Sequence, residues 1–147
     1  MKFSAIFFSL LCFSQAYAAV ELEKLSGDWK SSCSQAQMNG KQGFMTEVYS
    51  FHKSSEFAMK REWFKEAGCS GEVFAVDEEQ GSLKIGKENS NNGFNPQGTY
   101  DADFDSAKGV DKGLIWISGD YSKLRLSRGF GGDMRNTMLG LFEYKKH

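Results

Sequence analysis

The sequence predicts an all-β domain: an antiparallel, up-and-down barrel of eight or nine strands behind a short N-terminal helical turn. Three observations carry that prediction. Short runs of alternating apolar and polar residues recur along the chain, separated by clusters of Gly, Asn, Asp and Ser. Almost no stretch repeats its apolar residues with the 3.6-residue period of an amphipathic helix. Finally, 147 residues leave no room for the crossover helices that a parallel sheet requires.

The first eighteen residues stand apart from the barrel. Met1-Lys2 carries one positive charge, Phe3 to Phe13 is an almost unbroken apolar run, and Gln15-Ala16-Tyr17-Ala18 ends it with small residues at alternate positions. Residues 1–18 are therefore expected to be a signal peptide, too short to span a bilayer, with Ala19 opening the mature chain. Cys12 belongs to that apolar run, because Leu11 occupies the place where a lipid-attachment site has a small residue. Cleavage removes one of the 18 Lys and Arg and none of the 19 Asp and Glu, so the mature charge is −2. No later segment is apolar enough to span a membrane, and the product is expected to be secreted or periplasmic.

The remaining elements follow in order. Val20 to Leu25 reads as a helical turn before a first strand at 27–34. Asn39-Gly40 is a tight-turn dipeptide, since both residue types tolerate positive φ. Strands are expected at 45–52 and 57–63, then at 72–76 and 82–87, with Asp77-Glu78-Glu79 before Gly81 forming a hairpin tip between them. Residues 88–98 form a polar loop that contains Asn92-Gly93 and the only Pro. Strands at 100–105, 113–118, 122–128 and 137–145 complete the set, with a Gly-rich loop at 129–135. No internal repeat or second domain is visible, so residues 19–147 are expected to form one barrel domain. A barrel is favoured over a sandwich because the links are short, the strand count suits a barrel holding one small ligand, and closure removes exposed edges.

Composition excludes several classes. With 14% aromatic residues and 40% hydrophobic residues, the chain can build a core and is not disordered. A net charge of −1 argues against a nucleic-acid binder, which needs a clustered excess of Lys and Arg. Once Cys12 is removed, Cys33 and Cys69 remain as an even pair in an oxidising compartment, and a disulfide is expected. Such a bridge would constrain the unfolded chain by about 3–5 kcal/mol. Neither a C-x-x-C spacing nor a set of further Cys and His ligands points to a redox pair or a zinc site.

Leu25-Ser26-Gly27-Asp28-Trp29 is a short turn leading into G-x-W at the start of the first strand. It resembles the opening signature of the lipocalin and wider calycin barrels. With Lys30-Ser31-Ser32-Cys33, the alternating strands and Cys69-Ser70-Gly71, residues 22–71 resemble small exported bacterial proteins of lipocalin-like type. The resemblance implies that Trp29, next to Gly27, closes the barrel floor beneath the N-terminal turn. It also implies an Arg stacked on that Trp from near the last strand. Met138 to Tyr144 has no Arg, which leaves the part to Arg125 or Arg128.

Candidate chemistry is sparse. His52 follows an apolar strand and reads as a solvated strand-end residue; the other histidine of the mature chain is His147. Asp101, Asp103 and Asp105 imitate a calcium loop, but Ser106 and Lys112 stand where an EF-hand has Gly and Glu, and Tyr100, Ala102 and Phe104 between them indicate a strand. No two carboxylates single themselves out as a hydrolytic pair. The Gly-rich loop lacks the Lys-Ser/Thr of a phosphate cradle. No enzyme, cofactor or metal is indicated.

The faces are more informative. If Phe57, Met59 and Trp63 point inward, period-two geometry brings Arg61 inward as well. A buried Arg must be paired. Its partner is either Glu47, on the face of Met45, Tyr49 and Phe51, or the carboxylate of a fatty-acid-like ligand. On this register Tyr49, Phe51, Phe57, Met59, Arg61, Trp63, Tyr100 and Phe104 line one interior, either packed solid or enclosing a cavity. The expected function is a non-enzymatic barrel binding a small apolar or amphipathic ligand. The alternative is a protein-interaction module, such as an exported protease inhibitor acting through residues 19–24 or 129–135.

Overall fold

The computed structural model describes residues 22–89, 94–128, 138–140 and 142–147. The expected signal peptide, residues 19–21, Asn92-Gly93 and the 129–135 loop lie outside the described residues. Among the described residues a single helical turn, α1 (Leu22–Leu25), precedes nine strands: β1 (Gly27–Ser31), β2 (Ser34–Met38), β3 (Lys41–Phe51), β4 (Glu56–Phe64), β5 (Val73–Glu88), β6 (Thr99–Ser106), β7 (Gly109–Ile117), β8 (Lys123–Ser127) and β9 (Glu143–Lys146).

Every pairing is antiparallel. From β3 to β9 each strand pairs with the next, and β1 pairs with both β3 and β9, so eight strands close into a barrel with β2 as an extra strand. β2 continues the β1 edge along β3. Lys30 faces Val48 and Ser34 faces Met45, so four steps on one side match three on the other. That extra residue is a β-bulge around Ser32-Cys33. Cys33 is bonded to Cys69 across a separation of 36 residues, with Cα atoms 5.6 Å apart, as the sequence led us to expect. The bond ties the β4–β5 connection to the bulge. Asn39 and Gly40 take φ of 50° and 77°, as a tight turn between β2 and β3 requires.

Two expectations about elements are corrected. Asp77-Glu78-Glu79 is not a hairpin tip but the middle of β5, a single strand of 16 residues. Its first half pairs with β4 and its second with β6, and the strand turns the barrel corner at Gly81. A Cβ on Gly81 would overlap the Asp105 carbonyl oxygen and come within 3.1 Å of the Phe57 ring, so only Gly permits the close approach. The last strand is Glu143–Lys146 rather than 137–145; residues 138–140 belong to no strand, and Gly140 lies against Arg125 and Leu126 of β8.

The lower half of the barrel is solid. Leu25, Trp29, Phe51, Phe57, Phe104, Ile115 and Leu124 are buried together, each burial contributing about 1.5–3 kcal/mol. Phe57 meets Phe104 edge-on at 5.2 Å, and Tyr49 lies against Phe51 at 5.8 Å. Trp29 is fully buried beneath α1, and its indole Nε1 donates to the Leu25 carbonyl at 2.7 Å. The cation over its ring is Lys146, with Nζ 5.4 Å from the centroid, and not Arg125 or Arg128. Arg125 instead donates to the Gly140 carbonyl, while Arg128 points into the barrel. Lys146 succeeds because it lies one full residue pair beyond Tyr144, level with Trp29.

Outside the barrel, Leu114 is fully buried although its neighbours Gly113 and Ile115 share the opposite face. The 94–98 stretch lies against this side: Trp116 Nε1 donates to the Gln97 carbonyl at 3.2 Å, and buried Asn95 accepts from the Leu139 N–H at 3.1 Å. Asp101, Asp103 and Asp105 alternate with buried Ala102 and Phe104 along β6, a strand as expected. His52 is exposed at the end of β3. Among the described residues no helix is long and apolar enough to cross a membrane.

Candidate ligand site at the barrel mouth

The antiparallel meander sends the connections at 65–72 and 107–108 and the C-terminal end of β8 to the end opposite α1. There the described residues leave the barrel open. Above the aromatic floor lies a cavity of about 690 Å³, lined by inward residues of β3, β4, β5, β7, β8 and β9. One wall is apolar, with Leu126, Met138, Phe142 and Tyr144; Met45 and Met59 face it from β3 and β4.

The rest of the lining is charged, and alternation explains why. Along β3, Met45, Glu47, Tyr49 and Phe51 share the inner face; β4 matches them with Trp63, Arg61, Met59 and Phe57, and β5 with Ala75, Asp77, Glu79 and Gly81. The charges therefore meet in rows. Glu47 accepts from Arg61 Nε at 2.7 Å and from its Nη2, and its other oxygen accepts from the Tyr144 hydroxyl. Arg61 Nη1 lies 3.5 Å from Asp77, and Lys108 Nζ donates to Asp77 at 3.0 Å and lies 3.8 Å from Glu79. Arg128 donates to both Glu79 oxygens, at 2.7 and 3.2 Å, and to Asp111. Its guanidinium sits 5.1 Å above the Phe104 ring and 5.6 Å above that of Phe57, forming the lid of the solid core.

Burial and charge shift the titrations of this ring. Burial would lower the Arg61 guanidinium, but the Glu47 carboxylate more than reverses this and raises it. Burial would likewise lower Arg128, and the hydrogen-bonded Glu79 raises it instead. Glu79 is lowered: burial opposes ionisation, and the Arg128 fork and nearby Lys108 overcome it. Burial, reinforced by the Glu47 charge, pushes the Tyr49 and Tyr144 hydroxyls well above their ordinary value. Both hydroxyls are neutral at physiological pH; Tyr144 donates to Glu47, and Tyr49 accepts from Arg128.

Of the residues named from sequence, Tyr49, Met59 and Arg61 line this cavity. Phe51, Phe57 and Phe104 lie below it in the packed floor. Tyr100 packs on the core from the α1 end, where burial, with Glu88 and Tyr121 adding to it, raises its hydroxyl. Trp63 is buried on the inner face at the rim, and among the described residues nothing accepts its indole N–H. Gly27 and Trp29 stand at the floor. Arg61 pairs with Glu47, the protein partner that the sequence offered.

Sequence inspection missed Glu79, Arg128, Asp111 and Tyr144. Arg128 was legible: Leu124, Leu126 and Arg128 stand two apart, and both leucines are buried. Glu79 was hidden by its resemblance to a turn. In comparisons with known proteins, the chain matches no family model, no curated protein and no solved structure.

Proposed function

We propose that the protein is a lipocalin-like barrel that binds a small apolar or amphipathic molecule in its mouth and performs no chemistry on it. The observation that carries this reading is the cavity itself: about 690 Å³ open above a solid floor, with an apolar wall facing a polar ring. Apolar lining with a few fixed polar groups is the usual composition of a small-molecule site. The ring argues for binding over catalysis, because its carboxylates are already engaged by guanidinium, ammonium or hydroxyl groups of the protein. Gly27, Trp29 and the closed eight-stranded meander support the lipocalin-like assignment. The Cys33–Cys69 disulfide supports a secreted or periplasmic setting and, with the sequence of residues 1–18, a domain covering 19–147. Arg61, held by Glu47 and Asp77, enters this reading as part of the ring.

Native mass spectrometry with a mixture of ten-carbon amphiphiles tests the proposal. A stoichiometric adduct that disappears when Leu126→Trp fills the mouth supports it. A clean apo mass with every amphiphile overturns it. The second reading, a protein-interaction module, draws on Met138 and Phe142, large apolar residues exposed at the lip. It predicts that polar substitutions there abolish partner capture and leave small-molecule adducts absent throughout.

A further inference from the structure

We infer that the head group taken by this mouth is a cation, an amphipathic amine or quaternary ammonium, and not a fatty-acid carboxylate. The inference rests on the ligand-binding proposal above and names its substrate class. The cavity makes the site; the charges around it select the head group.

Among the described residues lining the cavity, four carboxylates (Glu47, Asp77, Glu79 and Asp111) share three cations (Arg61, Lys108 and Arg128). Each cation is divided between two acids: Arg61 serves Glu47 and Asp77, Lys108 serves Asp77 and Glu79, and Arg128 serves Glu79 and Asp111. An incoming carboxylate would have to draw a cation away from an acid that depends on it. That would leave a part-buried carboxylate uncompensated, the costly outcome when one partner of such a pair is lost. An ammonium head makes the count even without breaking any pair.

The surplus charge is also reachable. Side-chain exposure is 35% for Asp77 and 23% for Asp111, against 7% for Glu47 and 6% for Glu79. A cation can therefore approach the two outer acids while the two inner ones remain sealed. The opposite wall suits the same ligand. Phe142 and Tyr144 add aromatic rings to the lining, the residue type that attracts a positive head, and Leu126 and Met138 suit an alkyl tail.

Three probes with the same ten-carbon chain separate the possibilities: decyltrimethylammonium, decanoate and 1-decanol, each titrated calorimetrically into the purified protein. The ammonium compound is expected to bind about tenfold or more tighter than decanoate, with decanol between them, since unit charges at these separations differ by at least that much in a part-buried site. Asp111→Asn should shrink the ratio towards one, and Lys108→Ala should widen it; melting curves confirm that both variants are folded. Decanoate binding as tightly as the ammonium, or a ratio unmoved by both substitutions, overturns the cationic head group while the cavity proposal stands. If none of the three probes binds, the cavity proposal fails and this inference fails with it.

Discussion

Arg128 and Glu79 meet fork to fork inside the barrel, 49 residues apart in sequence, with both carboxylate oxygens bonded at 2.7 and 3.2 Å. The pair bridges β5 to the end of β8 and holds the guanidinium over the Phe104 ring. It is both the lid of the core and the base of the cavity. Arg128→Ala leaves Glu79 and Asp111 without their shared cation and should cost about 3–5 kcal/mol in chemical denaturation. Arg128→Met with Glu79→Gln should recover much of that loss. A double variant no more stable than Arg128→Ala would show that the pair is not coupled.

The same pair sets the acid limb of stability. Glu79 titrates below its unfolded value of about 4.5. Its contribution is therefore fully present above that value and is lost as pH falls through the lowered one. Wild-type stability should decline as pH falls below about 4.5, and Glu79→Gln should decline less steeply. Parallel acid limbs would refute the assignment.

Tyr49 and Tyr144 make the opposite prediction at alkaline pH. Their hydroxyls are raised above the ordinary value of 10, so the neutral forms favour the folded state below pH 10 and that stability is lost as pH rises further. Two tyrosines' worth of phenolate absorbance should appear only with loss of the β-sheet circular dichroism. Their ionisation with the sheet intact would contradict the burial described.

Gly81→Ala should destabilise the fold by about 1–3 kcal/mol, because the added methyl meets the Asp105 carbonyl oxygen across the corner of β5. Gly40→Ala adds no contact within 4 Å and tests only the cost of positive φ. Thermal melts of the two variants separate crowding from backbone strain. Equal losses would count against crowding at the corner.

Trp63→Phe removes a buried donor that nothing described accepts. Relief of the unsatisfied N–H, about 1–3 kcal/mol, should offset most of the lost packing and leave a change within about 1 kcal/mol. A loss beyond about 3 kcal/mol would mean that the indole has an acceptor.

Period two made much of the interior legible. Tyr49, Phe51, Phe57, Met59, Trp63 and Phe104 were assigned to one face from alternation, and all are buried there. The closed barrel followed from the number and spacing of the strands. The charged ring did not follow, since alternation reports which face a residue takes and not which distant strand it meets. Asp77 and Glu79 lie in an Asp-Glu-Glu run before Gly81, the composition of a turn, yet Gly81 bends a continuous strand. Lys146 was overlooked because a lysine stem with its ammonium over Trp29 does the work for which an arginine was sought.

β1 has consequences beyond its five residues. It alone joins β3 to β9, with Lys30 facing Val48 on one side and Lys145 on the other. Without it the cylinder is a curled ribbon with two raw edges, free to recruit strands from other molecules. Its seam with β9 pairs residues far apart in sequence, Trp29 with Lys146 and Ser31 with Tyr144, so this ladder carries a large loop-closure entropy and completes the circle late in folding. A guest held in the mouth would therefore be enclosed by a wall that is finished only when two strands far apart in sequence have paired.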